Sequence, residues 1–196
     1  MIAIVDYGAG NLASVVKAVR YLGRECVVTC DAEAVLGAEK LIIPGVGNFH
    51  ATLPLSDGSV GAALRELIAT QKPVLGICLG LQWMFEGSEE ASELPGLGVF
   101  PGKCVRFSDR VKSPHVGWDR IAIATRSLLL RGIPADSYVY FSHSYWAPSC
   151  PDTVATCAYE VPFTAAVERD NLFGVQFHPE KSGDIGMKIL ENFCAL

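Results

Sequence analysis

The stretch Pro73-Val74-Leu75-Gly76-Ile77-Cys78-Leu79-Gly80 carries the strongest structural signal in this chain. An apolar run leads into a cysteine that has one glycine two positions before it and another two positions after it. This pattern is typical of a nucleophile elbow, in which a buried strand enters a turn so tight that glycines must flank the nucleophile, and a helix follows. The free N–H groups of that helix would favour the thiolate of Cys78, which is its reactive form. The stretch therefore predicts an α/β protein with a catalytic cysteine.

Strand and helix signals alternate in the first half of the chain. Apolar runs predict strands over 2–7, 25–30, 40–43 and 74–77, and helical spacing predicts helices over 12–22, 62–69 and 79–85. Continuous apolar strands separated by helices indicate a parallel sheet covered on both faces. The carboxyl ends of such strands form the active site, so Asn11, Pro44-Gly45-Val46-Gly47 and Cys78 are expected close together.

The second half of the chain predicts antiparallel additions to this sheet. Short strand-like runs between Gly, Pro and Asp turns cover 99–107, 120–123, 138–143, 153–159, 164–169 and 172–177. Asp170-Asn171 has the composition of a two-residue hairpin turn, and 186–193 predicts a closing helix. We therefore expect a single domain over 1–196, with a doubly wound, mostly parallel sheet and flanking helices.

Composition excludes several classes of protein. Half of the 196 residues are hydrophobic and 19% are charged, which excludes general disorder. The net charge of −5 and the absence of a Lys/Arg cluster argue against a nucleic-acid partner. No apolar run approaches the roughly 18 residues that span a bilayer, so no membrane association is expected. Seven cysteines, an odd number without regular spacing, favour reduced thiols and a cytoplasmic location.

A second motif, Gly174-Val175-Gln176-Phe177-His178-Pro179-Glu180, supplies a base and a carboxylate. Side chains alternate along this run, so a histidine at the strand end can point into a cleft with Glu180 on the same side. The carboxylate would orient the imidazole and stabilise it once it takes the thiol proton. Taken alone, the motif is equally explained by a solvated strand end. A metal site is disfavoured because His50, His115 and His143 lack ligand spacing.

The two motifs together resemble the class I, triad-type glutamine amidotransferases, which have a flavodoxin-like fold. Within that family, the chain is similar to the glutaminase subunits of imidazole glycerol phosphate synthase. This narrower resemblance rests on 6–11 (DYGAGN), 44–49 (PGVGNF), 114–118 (PHVGW), 140–145 (YFSHSY) and 178–183 (HPEKSG). It runs from residue 2 to the C-terminal helix.

The resemblance implies a role for each of several residues. It makes Cys78 the nucleophile, His178 the general base and acid, and Glu180 the group that orients His178. The implied oxyanion hole consists of backbone at Val46, Gly47 and Leu79, although residues 44–47 alone would equally suit a plain turn. The implied glutamine pocket contains Gln82, Glu90, His143, Ser144 and Tyr145. Without the resemblance, Glu90 could also belong to an exposed acidic loop.

The resemblance also implies a partner and no cofactor. Glutamine is hydrolysed through a cysteinyl thioester, and the ammonia passes to a cyclase subunit with a (β/α)₈ barrel in histidine biosynthesis. Such a barrel takes about 250 residues, so the partner must be a separate chain. Its implied docking surface contains Asn11, Asn48, Phe49, Trp118, Tyr140 and Lys181. Trp118 and Tyr140 could equally be core aromatics.

Two other functions remain open at this point. A stand-alone hydrolase of the same architecture could use the cysteine on another amide or ester, although the glutamine-pocket motifs disfavour it. A non-catalytic homologue could serve only as a binding partner, although Cys78, His178 and Glu180 are all present.

Overall fold

The computed structural model describes residues 1–196 and contains twelve strands and six α-helices. The strands are β1 (Ile2–Val5), β2 (Cys26–Thr29), β3 (Lys40–Ile43), β4 (Val74–Ile77), β5 (Gly87–Ser88), β6 (Lys103–Arg106), β7 (His115–Ile123), β8 (Tyr138–His143), β9 (Tyr145–Trp146), β10 (Thr153–Ala158), β11 (Pro162–Arg169) and β12 (Leu172–Val175). The helices are α1 (Leu12–Tyr21), α2 (Ala32–Gly37), α3 (Leu53–Ser56), α4 (Gly58–Ala69), α5 (Leu79–Met84) and α6 (Gly183–Ala195). Short 3₁₀ turns cover Phe49–Thr52, Glu89–Ala91 and Pro179–Lys181.

Nine strands form one mixed sheet in the order β2-β1-β3-β4-β12-β11-β10-β7-β8. The four neighbouring pairs from β2 to β12 are parallel, and the four pairs from β12 to β8 are antiparallel. This confirms the predicted α/β fold with antiparallel additions in the second half. The short strands β5, β6 and β9 form a separate small sheet.

Strand β12 joins the two parts of the sheet. It pairs antiparallel with β11 through the predicted Asp170-Asn171 hairpin, in which Arg169 lies opposite Leu172. On its other side it pairs parallel with β4, with Val175 opposite Ile77. The chain segments that follow β4 and β12 therefore leave the same edge of the sheet side by side.

Two hydrophobic cores cover the faces of the sheet. Successive side chains of β1 alternate between them, since Ile4 belongs to one core and Val5 to the other. Helices α1 and α6 close the first core with residues such as Val19 and Phe193, while α2, α4 and α5 close the second with residues such as Leu64. Each fully buried aliphatic or aromatic side chain contributes roughly 1.5–3 kcal/mol. None of the helices is both long and apolar enough to cross a membrane.

Several element boundaries differ from the sequence predictions. Strands β3, β4 and β8 have the predicted bounds, but α4 begins at Gly58 and β7 already at His115. Helix α2 was not predicted, although the side chain of Asp31 caps it by accepting a hydrogen bond from the Ala34 N–H at 2.8 Å. Asn11 occupies the N-cap position of α1, where asparagine side chains often accept a capping hydrogen bond, but its side chain makes none.

Candidate active site

Cys78 lies in the turn between β4 and α5 with the geometry of a nucleophile elbow. Its φ of +52° is unusual for a residue with a side chain. The turn is closed by glycines because a Cβ on Gly80 would lie 1.9 Å from the Ile43 carbonyl oxygen. A Cβ on Gly76 would lie 2.8 Å from the Gly80 backbone. The two glycines thus allow the strand, the turn and the helix to pack directly on one another.

His178 and Glu180 form a buried pair just beyond β12. The Nδ1 atom of His178 lies 2.8 Å from Glu180 Oε1, and both side chains are about 2% exposed or less. Because Glu180 engages Nδ1, only Nε2 is free to interact with Cys78, and Nε2 makes no hydrogen bond. Burial lowers the pKa of His178, but the charges of Cys78 and Glu180 outweigh burial and raise it to about 10. The raised pKa favours the protonated form of the His178 imidazole.

Gln176 contacts the nucleophile and was not predicted as a site residue. Its Nε2 atom lies 3.6 Å from Cys78 Sγ, and its Oε1 accepts a hydrogen bond from Gln82 Nε2 at 3.2 Å. Gln82 Nε2 also donates to the Tyr145 carbonyl at 2.8 Å. The alternation of side chains that predicts His178 in the cleft also puts Gln176 on the same face of the strand. This alternation is the sequence signal from which Gln176 could have been predicted as a site residue.

A cavity of about 270 Å³ opens beside Cys78. Its walls contain all the residues predicted for the glutamine pocket, namely Gln82, Glu90, His143, Ser144 and Tyr145. Gly47, Cys78 and Leu79 also line it, together with Pro114 and Ser142, which lie in the motifs quoted above but were not predicted as pocket residues. The structure places no group of three or more His, Cys, Asp or Glu side chains to hold a metal ion.

Glu90 anchors one end of this cavity. One carboxylate oxygen accepts a hydrogen bond from the Phe49 N–H at 2.7 Å, which holds the side chain in place. Burial raises the pKa of Glu90, and the Phe49 hydrogen bond opposes that shift. Glu90 is half-buried rather than part of an exposed acidic loop. A carboxylate in this position can bind the ammonium group of an amino acid.

The segment predicted as the oxyanion hole is only partly directed into the cavity. Gly47 lines it with a φ of +102°, whereas Val46 is 37% exposed and does not line it. The Leu79 N–H points to the Gly45 carbonyl, with a nitrogen–oxygen distance of 3.4 Å. That distance is long for a hydrogen bond of this kind.

His143 is a neutral histidine in the cavity wall. Burial, aided by the charges of His115 and His178, lowers its pKa to about 3. Its Nδ1 lies 2.8 Å from the Tyr145 carbonyl, so Nδ1 carries the proton and donates it there. The Tyr145 carbonyl thus receives hydrogen bonds from both His143 and Gln82, which fixes the pocket backbone.

Part of the predicted docking surface is a contiguous patch next to His178. The rings of Trp118 and Tyr140 meet edge to face at 6.1 Å, and Lys181 Nζ lies 5.8 Å from the Tyr140 ring centre. Trp118 is 55% exposed, so it is not a core aromatic. The His178 N–H donates to the Tyr140 carbonyl at 2.9 Å, which connects the patch to the active site.

The other docking candidates differ in exposure. Asn48 is exposed and caps the 3₁₀ turn by accepting from the His50 N–H, and Asn11 is half-buried. Phe49 was wrongly expected at the surface, since its side chain is fully buried in the second core. Its apolar ring packs beneath the turn, and only its backbone reaches the pocket, through Glu90.

Comparisons with known proteins identify the family of this chain. The family model described as Glutamine amidotransferase class-I matches residues 3–196. The imidazole glycerol phosphate synthase subunit HisH of Thermococcus kodakarensis is 50% identical over 202 residues, covering 100% of both chains. The protein of the same name from Methanothermobacter thermautotrophicus is 44% identical, covering 100% of this chain and 98% of its own. A crystal structure described as a glutamine amidotransferase superposes with a TM-score of 0.77 at 18% identity, over 99% of this chain and 100% of that one. The chain therefore belongs to the class-I glutamine amidotransferase family and, within it, to the HisH subunits of imidazole glycerol phosphate synthase.

Proposed function

We propose that this chain is a glutaminase that hydrolyses glutamine to glutamate and ammonia through a thioester on Cys78. The supporting observation is the position of Cys78, at a strained elbow, in the wall of the cavity and in contact with the Gln176 amide. His178, held by Glu180, acts as general base and acid. The alternatives of a stand-alone hydrolase and a non-catalytic homologue have no comparable support.

The pocket suits free glutamine at both of its ends. Glu90 supplies a negative charge for the α-ammonium group at one end. Near Cys78, the Nε2 atom of Gln82 donates hydrogen bonds to two protein acceptors. No protein group donates to Gln82 Oε1, so this oxygen is free to accept a hydrogen bond from the amide of the substrate. This arrangement orients the carboxamide carbon toward the sulfur. Holding two reacting groups in this way contributes several orders of magnitude to the rate.

The reaction then proceeds in two stages. The Cys78 thiolate attacks the carboxamide carbon, and backbone N–H groups of Gly47 and Leu79 stabilise the negative charge on oxygen. His178 gives its proton to the leaving nitrogen, so ammonia departs and a thioester remains. His178 then takes a proton from water, which attacks the thioester and releases glutamate. Each oxyanion donor typically contributes about 10²–10³ to kcat.

The ammonia is proposed to pass to a separate cyclase subunit with a (β/α)₈ barrel, which makes imidazole glycerol phosphate and AICAR in histidine biosynthesis. The similar proteins are named as subunits, which supports a complex. We propose that Trp118, Tyr140 and Lys181 form the centre of the docking surface, with Asn11 and Asn48 at its margin. We further propose that residues 1–196 act as one domain and that the protein works in the cytoplasm, as its cysteine content favours.

The decisive experiment compares nitrogen sources. The chain is mixed with a cyclase subunit, and turnover is measured with glutamine or with ammonium. Only the glutamine-driven reaction should need this chain, and Cys78→Ala should abolish that reaction while leaving the ammonium-driven one intact. If Cys78→Ala retained full glutamine-driven turnover, the proposed mechanism would be refuted. If other amides were hydrolysed and glutamine were not, a stand-alone hydrolase would be indicated.

The docking surface is tested by titrating the cyclase against two variants. Trp118→Ala should weaken binding by tenfold or more, since exposed tryptophans are frequent interface hot spots. Leu128→Ala is the matched control, because Leu128 is also apolar and 50% exposed but lies outside the patch. Equal affinities for the two variants would place the interface elsewhere.

A further inference from the structure

Tyr7 has a buried hydroxyl group that makes no hydrogen bond. The residue is 8% exposed, and its Oη atom has no partner in the protein. This hydroxyl lies directly against the main chain of Gly45, where an added Cβ would be 2.0 Å from Oη. Burying an unpaired polar group costs free energy, and a phenylalanine would avoid that cost. The hydroxyl therefore calls for an explanation other than folding stability.

The surroundings keep this hydroxyl protonated. Burial raises the pKa of Tyr7 well above its usual range, and the nearby charge of Cys78 raises it further. Tyr7 is thus a neutral hydrogen-bond donor near the nucleophile. None of the catalytic steps described above uses it.

The carbonyl of Gly45 shares its hydrogen-bond donor with the reaction. In the structure this carbonyl accepts from the Leu79 N–H at 3.4 Å. The same N–H is the proposed donor to the oxyanion, and one N–H cannot serve both acceptors well. When the oxyanion forms, the buried Gly45 carbonyl is left without a partner, which is costly in the protein interior.

We propose that the Tyr7 hydroxyl takes over the Gly45 carbonyl when the Leu79 N–H turns to the oxyanion. Tyr7 is then a positioning residue, which acts on the reaction through Gly45 and Leu79. In the resting state Leu79 is paired with Gly45 and Tyr7 is unpaired, whereas in the reacting state both donors are paired. An interaction gained only in the reacting state raises kcat rather than substrate affinity. This inference rests on the proposed glutaminase function.

The first test is Tyr7→Phe, assayed as glutamine hydrolysis in the complex with the cyclase. The ring is kept, and only the hydroxyl and its contact with Gly45 are lost. We expect kcat to fall about tenfold, the effect of one hydrogen bond, with KM changing less than about twofold. Tyr21→Phe is the matched control, because Tyr21 is 83% exposed and should keep the wild-type kcat.

A second measurement separates positioning from a merely structural role. A glutamine analogue with an aldehyde in place of the carboxamide forms a hemithioacetal with Cys78 and so mimics the tetrahedral oxyanion. Tyr7→Phe should bind this aldehyde about tenfold more weakly, in line with kcat. In a Cys78→Ala background, Tyr7→Phe should leave glutamine affinity unchanged. Equal losses of affinity for both ligands would overturn the proposal.

The outcomes also distinguish this inference from the proposed function. An inactive Cys78→Ala together with a wild-type kcat for Tyr7→Phe would refute the role of Tyr7 alone. A Cys78→Ala variant that still hydrolyses glutamine would refute the proposed function, and the role of Tyr7 with it.

Discussion

The side-chain amide of Gln176, directly after β12, donates to the Sγ atom of Cys78, directly after β4, across 3.6 Å. The pairing of β4 with β12 produces this contact. Val175 lies opposite Ile77, so Gln176, which follows Val175, comes next to Cys78, which follows Ile77. The Cys78 N–H also donates to the Val175 carbonyl at 2.8 Å. The sheet itself therefore holds an amide donor next to the sulfur, independently of the elbow.

Replacing Gln176 with methionine should lower the reactivity of Cys78. The thiolate would lose a donor, and hydrogen bonds to charged groups contribute about 1.5–3 kcal/mol, which corresponds to at least a tenfold loss in kcat/KM. Gln82 keeps its hydrogen bond to the Tyr145 carbonyl, so the fold should persist. Glutaminase kinetics and the rate of Cys78 alkylation measure the effect, and a thermal melt checks folding. Wild-type alkylation in a folded variant would contradict this assignment.

Replacing Glu90 with glutamine should raise KM for glutamine by tenfold or more and leave kcat nearly unchanged. The amide can still accept from the Phe49 N–H, so the pocket wall is kept while the charge opposite the α-ammonium group is lost. A contact made equally to substrate and transition state affects KM alone. Glu89→Gln is the matched control, because Glu89 is an exposed neighbour outside the cavity. If both variants shifted KM equally, the effect would come from the general charge of the loop.

The protonation of His178 should depend on the sulfur. Burial lowers its pKa, and the charges of Cys78 and Glu180 raise it to about 10. Cys78→Ala removes one of the two residues that raise it, so the pKa of His178 should fall, and the imidazole should lose its proton at a lower pH than in the wild type. NMR titration of ring-labelled histidine measures both values. An unchanged titration would show that Cys78 and His178 do not interact.

Local sequence patterns predicted the elements around the site accurately. Strands β3 and β4 are short, largely apolar runs, and a proline directly follows β3 and directly precedes β4, so these two ends could be read from the sequence. The elbow was equally clear, because steric crowding allows only glycine at residues 76 and 80. Strand ends and tight turns restrict the residue types at neighbouring positions, so they can be predicted from a short stretch of sequence.

The features that escaped prediction depend on contacts between distant residues. Gln176 meets Cys78 only because β12 inserts between β4 and β11, an order of strands that no local pattern specifies. Phe49 lies in a polar, glycine-rich segment, and its burial depends on the second core, which forms beneath that turn. The weak bond between Leu79 and Gly45 likewise joins two segments that are separate in sequence.

The elbow should be intolerant of a single added methyl group at Gly80. A Cβ there would lie 1.9 Å from the Ile43 carbonyl oxygen, which belongs to a central strand and cannot move aside alone. Gly80→Ala should therefore destabilise the protein by about 3 kcal/mol or more, at the upper end of overpacking effects. Gly37→Ala is the matched control, because a Cβ at this helical residue meets nothing within 4 Å. It should leave stability unchanged or raise it by up to about 1 kcal/mol. Urea unfolding curves of the two variants measure the difference, and overlapping midpoints would mean that β3 and α5 are not packed as closely as the structure has them.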